Sequence, residues 1–139
     1  MQEVRLSFEM KLPENLLEIA AIFKAAEFQL YVVGGAVRDT VLGIEPHDFD
    51  LATNATPDQV IDVITKLGGW EADETGKSFG VVRARKNDCE YEIATFREDM
   101  TAGRHPAVRF ATIVEDVQRR DFTINALFYD IEQKEIVDL

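Results

Sequence analysis

The chain is 139 residues long, about the length of one domain, and its 46% hydrophobic and 29% charged residues exclude wholesale disorder. Its 15 basic and 26 acidic residues leave a net charge of −11, a sign that repels nucleic acid when spread evenly over a surface. The single cysteine, Cys89, excludes an internal disulfide, and no apolar run approaches the roughly 20 residues of a membrane span.

Residues 1–10 carry Glu3 and Glu9 and no secretory hydrophobic region, so the cytoplasm is the expected location and no membrane partner is expected. Pro13 and Glu14 open a helical pattern in which Leu16, Leu17, Ile19, Ala20, Phe23 and Ala26 fall close to one face. Leu30 to Val33 reads as a buried strand bounded by Gly34-Gly35. Ala36 to Leu42 reads as a short helix stopped by Gly43. Phe49 to Thr53 is a second strand. Thr56-Pro57-Asp58-Gln59 starts a helix with an N-cap, a proline at the first position and a capping box, and Gly68-Gly69 should end it. Gly80 to Arg85 and Glu90 to Phe96 predict a hairpin turning at Lys86-Asn87-Asp88. Residues 97–107 read as a mobile loop, and Thr112-Ile113-Val114-Glu115 caps a helix running to about Arg119. Leu127 to Tyr129 and Glu135 to Val137 predict a closing hairpin. The expected architecture is one α/β domain over residues 1–139, with one mixed sheet flanked by helices.

Four segments carry candidate chemistry. Gly34-Gly35-Ala36-Val37-Arg38-Asp39 joins a strand to a helix. Glycines let a backbone approach a ligand, a helix N-terminus favours an anion, and Arg38 can fork onto phosphate oxygens. The plainer reading is a tight turn with Arg38 and Asp39 as a surface pair. In His47-Asp48-Phe49-Asp50-Leu51, the two aspartates share a strand face roughly 6–7 Å apart along the chain, while Phe49 and Leu51 point into a core. Like charges so placed are either solvated or bridged by a hard divalent cation. Arg119-Arg120-Asp121-Phe122-Thr123-Ile124-Asn125-Ala126 either satisfies a helix C-terminus or contacts phosphate, sugar or base. The loop bearing Arg104-His105 belongs to residues 97–120, where five arginines face four acidic residues, a local reversal of the chain's charge. Glu92 shares a face with Glu90 and is either a third metal carboxylate or a half-exposed hairpin residue. No Ser/His/Asp or Cys/His nucleophile arrangement appears.

Together, Gly34-Gly35-Ala36-Val37-Arg38-Asp39, Asp48-Phe49-Asp50, Gly103-Arg104-His105-Pro106 and Arg119 to Ala126 resemble the catalytic head of class II tRNA nucleotidyltransferases and bacterial poly(A) polymerases, within the polymerase β-like nucleotidyltransferase superfamily. The resemblance runs from about Leu30 to Leu139. It implies that Asp48 and Asp50 bind two Mg²⁺ ions. It implies that Gly34, Gly35 and Arg38 hold the nucleotide triphosphate while Asp39 steadies the turn. Arg120 would contact the nucleotide, supported by Asp121 and Asn125, and Arg104 would act from a flexible loop. The implied partners are ATP, CTP and the 3′ end of tRNA, the RNA being gripped mainly by a neck, body and tail beyond the head. Residues Thr75 to Val82 are closer to the Gly-Thr-Val pattern of CCA-adding enzymes than to the basic segment of poly(A) polymerases, although Val81 stands at the usual threonine. The expectation is therefore CCA addition. A poly(A) polymerase, a CC- or A-adding specialist, a minimal nucleotidyltransferase for another acceptor and a non-catalytic nucleotide-binding module are the alternatives.

Overall fold

The computed structural model describes residues 4–46, 48–96 and 127–138. Pro13 stands as the cap of α1 (Glu14–Ala25), which buries Leu16, Ile19 and Phe23. Leu17 was expected on that face but is 48% exposed. It lies about 100° round the helix from Leu16, off the buried stripe. Strand β2 (Leu30–Val33) is buried at every position and leads into α2 (Gly35–Val41). Strand β3 (Asp50–Thr53) follows, one residue later than predicted.

The capping box that opens α3 (Pro57–Asp62) is made in full: Thr56 Oγ1 accepts from the Gln59 backbone N–H, and Gln59 Oε1 accepts from the Thr56 N–H. The helix continues as a π-helical turn over Val63–Leu67 before Gly68. Strands β5 (Val81–Lys86) and β6 (Cys89–Thr95) form the expected hairpin. Its loop has two residues rather than three, because Lys86 pairs with Cys89 and Asn87 takes a left-handed φ of 56°. Strands β7 (Leu127–Asp130) and β8 (Glu135–Asp138) form the closing hairpin. Two strands had no sequence expectation: β1 (Val4–Ser7), antiparallel to β8, and β4 (Glu71–Asp73), antiparallel to β5.

All eight strands join one mixed sheet in the order β1-β8-β7-β2-β3-β6-β5-β4. The β3–β6 pair is parallel and the other six described pairs are antiparallel. Alternation along the strands divides the core. On one face Val32, Leu51, Val82, Ile93, Tyr129 and Ile136 pack with Leu16, Ile19 and Phe23 of α1, Ala36 and Val37 of α2, and Val60 of α3. On the other face Tyr31, Val33, Ala52, Phe96, Phe128 and Val137 form a second cluster, its rings meeting at centroid separations of 5.8–6.3 Å. No helix among the described residues is long and apolar enough to cross a membrane.

Candidate active site

The site is set by register. Val33, the last residue of β2, lies opposite Asp50, the first of β3. The strands are antiparallel, so the Gly34 turn and the entry to β3 meet at one end of the sheet. Glu92 is the parallel partner of Asp50, Arg83 is opposite Glu92, and Asp73 is opposite Arg83. Residues in register share a face. One row across the sheet therefore reads Val137, Phe128, Val33, Asp50, Glu92, Arg83, Asp73. Its first three members are buried and apolar, and charge begins at Asp50.

A cleft of about 680 Å³ opens over this charged half, lined by Asp48, Asp50, Arg83, Asp88, Glu90 and Glu92, with Pro13, Asn15 and Cys89 beside them. Asp48 and Asp50 are exposed. Leu51 is buried and Phe49 packs against the same core cluster, so the predicted alternation holds. Five carboxylates and one guanidinium give the cleft a predominantly negative lining. Oxygen donors of this kind suit a hard ion such as Mg²⁺. Among the described residues, no three His, Cys, Asp or Glu side chains are drawn together as a metal-binding group. Glu92 lies instead with its Oε2 3.6 Å from Arg83 Nη2.

The turn beside the cleft depends on its first glycine. Gly34 has φ 76° and ψ −142°, a conformation closed to other residues. Gly35 then begins α2, whose first N–H groups lack intrahelical partners. Arg38 donates from Nε and Nη2 to Asp39 Oδ1, at 3.2 and 3.0 Å. The two residues therefore pair, and Asp39 orients a half-buried guanidinium at this end of the sheet. Arg104, His105, Arg120, Asp121 and Asn125 lie outside the described residues, as do His47, the loop expected at 97–107 and the helix expected to end near Arg119.

Behind the carboxylates, Tyr91 hydroxyl donates to Asn15 Oδ1, and Asn15 Nδ2 donates to Cys89 Sγ at 2.5 Å. Burial, with the nearby Cys89 charge, pushes the Tyr91 hydroxyl up to about 12. At the far edge, Thr75 donates to Asp73 from its hydroxyl and its backbone N–H, and these bonds, with Arg85 and Arg83 nearby, hold the Asp73 carboxyl below its ordinary value. Sequence reasoning missed Arg83 and Asn15 as lining residues. Hairpin register was the available signal for Arg83: a two-residue turn at Asn87-Asp88 places it opposite Glu92.

Residues 30–139 match the Poly A polymerase head domain family. The chain belongs to that family. A mitochondrial CCA tRNA nucleotidyltransferase 1 from Danio rerio is 37% identical over 127 residues, covering 90% of this chain and 30% of the relative. The CCA-adding enzyme of Staphylococcus aureus (strain MRSA252) is 41% identical over 111 residues, covering 77% of this chain and 26% of the relative. Among solved structures, the CCA-adding enzyme of Bacillus stearothermophilus in complex with CTP superposes with a TM-score of 0.75 at 32% identity, covering 91% of this chain and 30% of that one. The head domain thus spans under a third of the length of these relatives.

Proposed function

We propose that this head domain catalyses template-independent addition of C and A from CTP and ATP to the 3′ end of tRNA. The observation that carries the reading is the row that sets Asp50 beside Glu92, one strand from the Gly34-Gly35 turn. The relatives named above support the choice of reaction. One has been solved in complex with CTP, and a tRNA nucleotidyltransferase at TM-score 0.68 and 27% identity has been solved in complex with a primer tRNA and an incoming ATP analog.

The reaction is attack of the RNA 3′-hydroxyl oxygen on the α-phosphorus, with cleavage of the bond to the bridging oxygen and departure of pyrophosphate. Asp48 and Asp50 would hold the divalent ions, which the resemblance puts at two Mg²⁺, with Glu92 as the adjoining carboxylate. Bound there, such ions would supply acidification of the attacking hydroxyl and neutralisation of charge on the leaving phosphates. Gly34 and Gly35 bring backbone N–H groups to the triphosphate. Arg38, oriented by Asp39, spreads the charge that grows on its oxygens. By the resemblance, Arg120 would contact the nucleotide with Asp121 and Asn125 supporting it, and Arg104 would act from a flexible loop. The acidic head leaves RNA to be held mainly by other parts of the protein.

The test is incorporation of labelled CTP and ATP into tRNA transcripts ending before CCA, in Mg²⁺. Ordered addition of C, C and A, lost with Asp50→Asn in a protein that still folds, is the expected result. Long A tails alone would point to a poly(A) polymerase, and one nucleotide type alone to a CC- or A-adding specialist. Nucleotide binding without incorporation would overturn the catalytic reading and leave a binding module.

A further inference from the structure

Arg83 is the one cation lining the cleft among the described residues. It stands on β5 directly opposite Glu92, on the side of β6 away from Asp50. Its Nη2 lies 3.6 Å from Glu92 Oε2, at ion-pair distance but longer than an N–H···O hydrogen bond. Both side chains are about half exposed.

The next arginine along β5 provides a contrast. Arg85 donates to Glu90 and, at 2.8 Å, to Asp73, so it is committed to two carboxylates. Asp73 is also opposite Arg83 in register, but Arg85 and Thr75 already occupy it. Arg83 is thus left facing Glu92 through a loose ion pair, one that breaks without unmaking a hydrogen bond.

We infer that Arg83 is a positioning residue for Glu92: it draws this carboxylate toward β5 and restrains its service as a cation ligand beside Asp50. The inference rests on the metal reading of Asp48 and Asp50 given above. The charges form a competition. A divalent cation beside Asp50 attracts Glu92 in one direction, and the Arg83 guanidinium attracts it in the other. Removing the guanidinium releases Glu92 to the cation side, so the cleft then holds the cation more tightly. Because Arg83 and Glu92 are half exposed, solvent keeps the effect modest.

The experiment measures Mn²⁺ binding to the protein without nucleotide, from the electron paramagnetic resonance signal of free Mn²⁺. Arg83→Gln should tighten Mn²⁺ three- to fivefold, and Arg83→Lys should stay within twofold of the wild type. In a Glu92→Gln background, Arg83→Gln should change Mn²⁺ affinity by less than twofold, because the group it acts through is gone. Unchanged or weaker binding by Arg83→Gln would overturn the inference. So would full tightening in the Glu92→Gln background, which would make Arg83 a distant charge rather than a positioning residue. Asp48→Asn and Asp50→Asn separate the two layers of the argument. If both bind Mn²⁺ as the wild type does, the metal reading itself fails and the inference fails with it. If both lose Mn²⁺ while the Arg83 variants leave it unchanged, only the inference fails.

Discussion

Gly34 and Gly35 are adjacent, yet the structure assigns them opposite energetic roles. A Cβ added at Gly34 meets nothing within 4 Å, so Gly34→Ala carries no packing cost. What remains is backbone strain, because φ is 76° and ψ is −142°. Holding a non-glycine residue in such a region costs about 1–3 kcal/mol. For a domain of this size that lowers the melting temperature by roughly 3–10 °C. At Gly35 the φ is not positive, and an added Cβ meets only Arg38 Nη2 at 3.6 Å, an ordinary contact. Gly35→Ala should therefore leave stability unchanged or raise it by up to about 1 kcal/mol through the unfolded state. Both variants should lose nucleotide incorporation, Gly34→Ala by moving the turn and Gly35→Ala by placing a methyl where phosphate approaches the backbone. Denaturant melts separate the two causes. Equal stability of the two variants, or a greater loss at Gly35, would refute the assignment of strain to the first glycine.

At Gly68 a methyl would come within 2.7 Å of Trp70 Cδ1 and 2.8 Å of Ile22 Cδ1. Gly68→Ala should therefore cost about 1–3 kcal/mol by overpacking, and emission from Trp70, the chain's one tryptophan, should shift. Thr56→Ala removes the hydroxyl that accepts from the Gln59 backbone N–H and should cost about 1 kcal/mol in a urea melt, whereas Thr56→Ser should recover most of it. Folding raises the Tyr91 hydroxyl from 10.0 to about 12, so the folded chain holds this proton more tightly than the unfolded chain. Its contribution is whole below pH 10 and lost as pH rises toward 12, and urea melts over that range should fall more steeply for the wild type than for Tyr91→Phe.

Local signals were legible where local chemistry makes the structure. The α3 cap and the β5–β6 hairpin follow from residues within a few positions of one another, though the hairpin's turn is one residue shorter than expected. Strand β1 was not legible, because its partner β8 lies more than a hundred residues away and its four residues have no turn beside them. Strand β4 was hidden for another reason. Glu71-Ala72-Asp73 is three residues long and acidic at both ends, and its pairing with Arg85 and Arg83 appears only after the β5–β6 register is known. The same limit applied to the site. Spacing shows that Glu90 and Glu92 share a face, but not that Glu92 is level with Asp50. That match is a parallel pairing across 42 residues, made through α3 and the β4–β5–β6 meander. Leu17 shows the converse limit: an apolar residue one position off the stripe looks like core until the helix is docked.

The placement of charge along the sheet follows from this pairing. On β7 and β2 the row is filled by Phe128 and Val33, both almost fully buried. From Asp50 outward it borders an open cleft, where charged side chains keep part of their hydration. Asp50 and Glu92 stand about one strand spacing apart, roughly 4.8 Å, and they repel each other. Arg83 offsets part of the Glu92 charge from the β5 side, and the carboxylates of Asp48 and Asp50 lie toward the β3 side. A free triphosphate approaching that side meets charge of its own sign from Asp48, Asp50 and Glu92. On the proposed reading a divalent cation would make that approach attractive, and the Gly34 turn and Arg38 would meet the remaining phosphate charge. The acidic half of the row and the Gly34 turn are neighbours. The antiparallel junction of β2 with β3, set by Val33 opposite Asp50, brings them to the same end of the sheet.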